Sequence, residues 1–82
     1  MEDHSKDKAE DDREGRYANY FEAGFNAFEF VIDFGQRFDS QSSEPNLHTR
    51  IITNPVYARV LENLLTRTLG EYEQKYGLVK KE

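Results

Sequence analysis

The segment NPVYARVLENLLTRTLGEYEQKYG, residues 54 to 77, constrains this chain more than any other. Asn54 is a good N-cap, Pro55 suits the first helical position because its missing N–H would find no partner there, and Gly77 suits a helix terminus. One helix is predicted from Pro55 to about Tyr76, with Leu78 folding back on Tyr72 in a Schellman ending. At 100° per residue Tyr57, Val60, Leu61, Leu64, Leu65, Leu69, Tyr72 and Tyr76 fall in one sector of roughly 180°, wider than the roughly 100° that a single packed face requires. Arg67, Glu71 and Lys75 stand at i, i+4 steps on the wetter side. Gly70 lies there too and costs about 1 kcal/mol relative to alanine, which marks a bend or a close neighbour.

The other strong pattern is FEFVIDFGQRF, residues 28 to 38, in which Phe28, Phe30, Ile32 and Phe34 occupy alternate positions with Glu29, Val31 and Asp33 between them. Period-2 alternation of aromatic and β-branched residues predicts a strand with one dry face. Upstream, RYANYFEAGFNA reads as its hairpin partner, with Gly24 and Asn26 supplying left-handed backbone angles for the connection. With Phe25 and Asn26 at the tip, Phe21 faces Phe30, Asn19 faces Ile32 and Tyr17 faces Phe34. The second face then carries Ala18, Tyr20, Glu22, Glu29, Val31 and Asp33, and Glu22 opposes Glu29, which is tolerable only in water or beside a cation. Residues 39 to 46 form a polar loop, and HTRIIT, residues 48 to 53, is a third strand.

The expected fold is therefore α+β, order β-β-β-α: a three-stranded antiparallel sheet, made of a β-hairpin and a third strand, packed by one long C-terminal helix across its aromatic face. Lengths strain this arrangement within one chain. A helix of 22 residues is about 33 Å long, whereas strands of six or seven residues reach about 20 to 23 Å. The overhang and the wide apolar sector both call for a second copy, most simply a two-fold homodimer. Tyr57, Val60, Leu61, Leu64 and Leu65 are the expected self-association residues.

Composition narrows the function. The first sixteen of 82 residues hold seven acidic and four basic side chains, with Met1 and Ala9 as the only apolar ones, so 1–16 is expected to be a disordered acidic tail, 17–79 the single domain and 80–82 a charged end. A net charge of −5 without any basic block beyond Lys80 and Lys81 disfavours nucleic acid. No apolar run is long enough to span a bilayer and no leader pattern is seen, so no membrane is involved and a cytoplasmic location is the expectation. With no cysteine there is neither a disulfide nor a thiolate site.

Taken together, YAN at Tyr17 to Asn19, the EF-x-x-DFG strand of Glu29, Phe30, Asp33, Phe34 and Gly35, Arg50 ahead of an apolar strand, Pro55 at the helix start, and Glu71, Tyr72 and Gly77 near its end resemble a known pattern. It is that of the small prokaryotic proteins grouped as domain of unknown function 3467, and it covers about residues 16 to 79. The resemblance implies a compact independent unit. It brings no established activity, cofactor or catalytic residue.

The side chains themselves make few candidate sites. Glu29 and Asp33 share a strand face with about 13 to 14 Å between their α-carbons, wider than the roughly 5 to 10 Å of a glycosidase pair, and read as solvated or structural. Asp33 is expected to pair with Arg50 of the third strand. His48 with Glu29 or Asp33 is a poor metal set, lacking cysteine and ligand spacing, and the serines at 40, 42 and 43 have no base beside them. No catalytic residue, metal or cofactor is expected. Tyr20 and Val31 on the charged face, Phe25 at the tip and Phe38 at the strand exit form the expected contact for a protein partner. The reading is a non-enzymatic oligomeric protein-interaction domain, an assembly subunit, adaptor or small chaperone-like binder. The alternative is a small-molecule-binding or catalytic domain with Glu29, Asp33, His48 and Arg50 at the dimer seam.

Overall fold

A computed structural model describes residues 13–38 and 44–81. Strand β1 spans Tyr20–Phe25, β2 Phe30–Gln36, β3 Asn46–Thr53, and helix α1 Pro55–Tyr76. The strands form one open antiparallel sheet in the order β1-β2-β3, and the single helix follows, so the chain is α+β with the order β-β-β-α. The third strand starts two residues earlier than the β-branched run suggests and takes Asn46 out of the loop. The acidic segment 1–12 and loop positions 39–43 lie outside the described residues.

The hairpin register differs from the expectation. Phe21 faces Phe34, Glu22 faces Asp33, Ala23 faces Ile32 and Phe25 faces Phe30, so the turn runs through residues 26 to 29 and Phe25 is in the ladder rather than at the tip. Asn26 makes the turn with its side chain: Oδ1 accepts the backbone N–H groups of Phe28 at 2.8 Å and Glu29 at 2.9 Å, and its own N–H donates to Glu29 O at 3.0 Å. A short amide that satisfies two backbone donors closes a loop without left-handed angles. Among the described residues, positive φ occurs at Gly77 alone. The two faces survive the shift because it moves the pairing by an even number of residues.

Asn19 extends the hairpin beyond its strand. Its backbone N–H donates to Gly35 O, its Nδ2 donates to Arg37 O at 3.1 Å, and its Oδ1 accepts the Arg37 N–H at 2.8 Å. The side-chain amide thus supplies the donor and acceptor that a further ladder residue would offer. At the same end, β3 steps past β2 by one extra residue: Thr49 faces Phe34 and Leu47 faces Gly35, leaving His48 as the bulge. A Cβ on Gly35 would come within 2.5 Å of Asn46 O, so only glycine lets the strands meet there.

The aromatic face carries Phe21, Ala23 and Phe25 from β1, Phe30, Ile32 and Phe34 from β2, and Ile51 from β3. Phe21 and Phe34 meet edge to face at 5.7 Å, and Phe25 stacks on Phe30 at 5.8 Å, separations at which ring pairs attract. The helix does not cover this face. Among the described residues the sizeable contacts between elements are those of β1 with β2 and β2 with β3, and no hydrophobic side chain is buried. The expectation of a helix packed over its own sheet, and of a compact unit, is corrected here. The radius of gyration is 15.2 Å, against about 12 Å for a compact chain of this length.

The reason lies at the junction. A single residue, Asn54, separates β3 from α1. It is extended, with φ −125° and ψ 170°, and its Oδ1 accepts the Tyr57 N–H at 2.8 Å. Pro55 follows with its fixed φ. The helix therefore sets out directly from the end of β3. At the far end Gly77 adopts φ 100°, its N–H donates to Glu73 O, and the Val79 N–H turns to the Glu73 carboxylate at 2.9 Å. The ending is thus a single backbone bond plus a side-chain cap in place of a Schellman motif, and Leu78 is left 87% exposed.

Candidate functional site

The second sheet face is built around Asp33, at 8% exposure the one buried polar side chain among the described residues. It sits in the central strand between Glu22 of β1 and Arg50 of β3. The alternation that turns Phe30, Ile32 and Phe34 to the dry face puts Asp33 on the other. Arg50 Nε donates to Oδ1 at 2.7 Å and a terminal nitrogen donates to Oδ2 at 2.9 Å, a bidentate fork. These hydrogen bonds hold the Asp33 carboxyl below its ordinary pKa against the opposing effect of burial, and raise that of Arg50. The like-charged pair that the hairpin juxtaposes is therefore Glu22 with Asp33, not Glu22 with Glu29, and the guanidinium beside Asp33 makes it tolerable.

A shallow, open depression of about 370 Å³ lies on this face, with Glu22, Glu29, Val31, Asp33 and Arg50 among its lining. Two of the three carboxylates in that lining have side-chain partners: Asp33 is held by Arg50, and Glu22 accepts a hydrogen bond from the Tyr20 hydroxyl at 2.7 Å. That hydrogen bond pushes the Tyr20 phenol above its ordinary pKa. The Tyr20 ring lies under Arg37, with the guanidinium carbon 5.1 Å from its centroid.

His48 faces neither Glu29 nor an open coordination position. Its Nε2 lies 3.0 Å from Tyr17 O and its Nδ1 2.7 Å from Thr49 Oγ1. A carbonyl only accepts, so Nε2 carries a proton and donates it to Tyr17 O. The histidine ties the bulge of β3 to the arm before β1. Among the described residues no group of three His, Asp or Glu side chains could hold a metal ion.

The four side chains expected to form one partner contact are divided by the structure. Tyr20 and Val31 share the charged face, Phe25 stands on the aromatic face at 78% exposure, and Phe38 is exposed just beyond β2. The helix residues Tyr57, Val60, Leu61, Leu64 and Leu65 are exposed together with Val56, Leu69, Tyr72 and Tyr76, at 36 to 69%. Arg67, Glu71 and Lys75 form no ion pair; the helix's pair is Arg59 with Glu62. A Cβ on Gly70 would meet nothing within 4 Å. Sequence reasoning placed Asn26 in the turn but missed that it acts through its side-chain amide, and it missed the bridging role of Asn19 altogether. The signal was available in the pairing of an asparagine with a residue of unmet backbone need, but it depends on the register.

No helix among the described residues is long and apolar enough to cross a membrane. Comparison with curated proteins found no match, and comparison with solved structures found none. The chain does match the family described as Protein of unknown function (DUF3467), over residues 4–81. It belongs to that family, and the match reaches well into the acidic segment, beyond the 16 to 79 that its motifs suggest.

Proposed function

We propose that this protein is a non-enzymatic protein-interaction domain whose working form is a homo-oligomer, with a dimer as the simplest closure. The observation that carries this reading is the lack of any buried hydrophobic side chain among the described residues of a chain that nonetheless forms a regular sheet and a capped 22-residue helix. Apolar faces of this extent are a driving force for association, at roughly 25 cal/mol per Å² removed from water. The charged face, with Tyr20 and Val31 among Glu22, Glu29, Asp33 and Arg50, and the open edges of β1 and β3 are left for a further protein.

Sedimentation velocity from about 1 to 100 µM tests the reading. The expected outcome is a species of at least twice the 9.6 kDa chain mass, dissociating only together with loss of helical circular dichroism. A folded, helical monomer throughout that range would refute it. For the second surface, Val31→Ser is expected to leave the oligomer intact and to release a protein partner captured from the native cytosol. A metabolite whose binding is lost on Arg50→Gln without loss of the oligomer would instead favour a small-molecule site.

A further inference from the structure

The orientation of the helix says which surface covers which. Where α1 leaves the sheet, Pro55, Ala58, Arg59 and Glu62 share a small depression with Phe30. At 100° per residue these four centre roughly 120° away from the middle of the apolar sector. Ala58 is accordingly half-buried, while Val56, Tyr57, Val60 and Leu61 are exposed. The helix shows its own sheet the polar flank and turns its oily sector outward. On the sheet, the arm residues Glu14, Arg16 and Ala18 lie near Phe34 at one end and the first helical turns near Phe30 at the other. Phe21 opposite Phe34, Phe25 opposite Phe30 and Ile51 opposite Ile32 remain exposed.

These two bare surfaces match in width and number. Three strands at about 4.8 Å spacing make a floor roughly 10 Å between outer strand axes, the width of one helix with its side chains, about 10 to 12 Å. Each chain offers one such floor and one such helix. At roughly 200 Å² for a fully exposed large side chain, the nine apolar residues of α1 leave on the order of 900 Å² uncovered, close to the roughly 800 Å² that one partner gives to a standard interface. The one-residue junction at Asn54 keeps the two apart within a chain.

We infer that the occupant of the aromatic face is helix α1 of a second copy. The two chains exchange helices about a two-fold axis, the sheet of each receiving the Leu61, Leu65 and Leu69 side of the other's α1. A two-fold interface requires this reciprocity, because any contact of helix on sheet is repeated with the roles reversed. The inference rests on the oligomeric reading and specifies its geometry.

The lack of cysteine in the chain makes a clean test possible. Single variants Ile32→Cys, in the centre of the aromatic face, and Leu61→Cys, Leu65→Cys or Leu69→Cys, along the helix, are purified separately. The sheet variant is unfolded and refolded with each helix variant and oxidised with copper phenanthroline. Light scattering is expected to give twice the chain mass, and at least one mixture is expected to give a disulfide dimer containing one chain of each kind by mass spectrometry, several-fold above the dimer formed by Ile32→Cys alone. Twice the mass with no mixed disulfide in any of the three mixtures overturns the exchange and leaves the dimer standing. A disulfide closing within one chain of the double variant Ile32→Cys/Leu65→Cys overturns it too. A monomer by scattering overturns both readings.

Discussion

The sheet and the helix of this protein are stabilised in opposite ways. The sheet is held from within the chain by directional polar contacts: the Asp33–Arg50 fork, the Asn19 amide across to Arg37, the Asn26 turn and the His48 tie to Tyr17. The helix is fixed at its two ends by Asn54 and Glu73, and along its length the chain contributes little beyond its own backbone bonds and the Arg59–Glu62 pair. Most helices in proteins owe their stability to an apolar face packed on something rather than to intrinsic propensity. The contrast teaches a division of labour: polar geometry sets the shape of one copy, which buries no hydrophobic side chain among its described residues, and on the proposed reading apolar burial comes from a second copy.

The largest effect expected is on the helix side of that contrast. Leu61→Asp with Leu65→Asp is predicted to abolish association and to turn the concentration-dependent, cooperative melt into a gradual loss of helicity, followed by circular dichroism at several concentrations. Survival of a sharp, concentration-independent transition would mean that the copies do not share a core. Next comes the sheet. Gly35→Ala drives a methyl against the Asn46 carbonyl, and overpacking of this kind costs typically 1 to 3 kcal/mol; urea denaturation reads it. An unchanged midpoint would show that the bulge at His48 can give way.

A smaller effect belongs to the junction, where Asn54→Ala removes the acceptor for the Tyr57 N–H and is predicted to cost about 1 kcal/mol, read as a lower melting temperature by circular dichroism at fixed concentration. The smallest is electrostatic. Because the Asp33 carboxyl is held below its ordinary pKa, its contribution is fully present above the unfolded value of about 3.9 and is lost as pH falls through the lower native value. Arg50 is largely in water, which limits the amount. Asp33→Asn is predicted to lower the melting temperature at pH 7 and to flatten its decline between about pH 5 and 2. A decline of unchanged steepness would assign the acid sensitivity to other carboxylates.

Much of this architecture is legible in the sequence, and the parts that are not share a cause. Alternation in Phe30, Ile32 and Phe34 marks the dry face under any even register shift, and the opposition of Asp33 and Arg50 follows from their place on the other face. Asn54, Pro55 and Gly77 mark the helix because caps act over three or four residues. The hairpin register escaped because Gly24 and Asn26 suggest a turn through backbone freedom, whereas Asn26 works through its side chain, and that choice moves the tip by two residues. Phe25, expected at the tip of the hairpin, lies in the ladder on the aromatic face for the same reason. The expected packing of helix on sheet failed on a length: the connector between Thr53 and Pro55 is one residue, and hydrophobic periodicity carries no information about whether a chain can double back.

That short connector has a consequence for stoichiometry. If copies exchange helices as inferred, a flexible insert of several glycines and serines after Thr53 is expected to let α1 fold onto Phe21, Phe25 and Ile51 of its own chain. On the proposed exchange, the number of chains in the assembly would then be set by a spacer, and one copy would suffice in place of two.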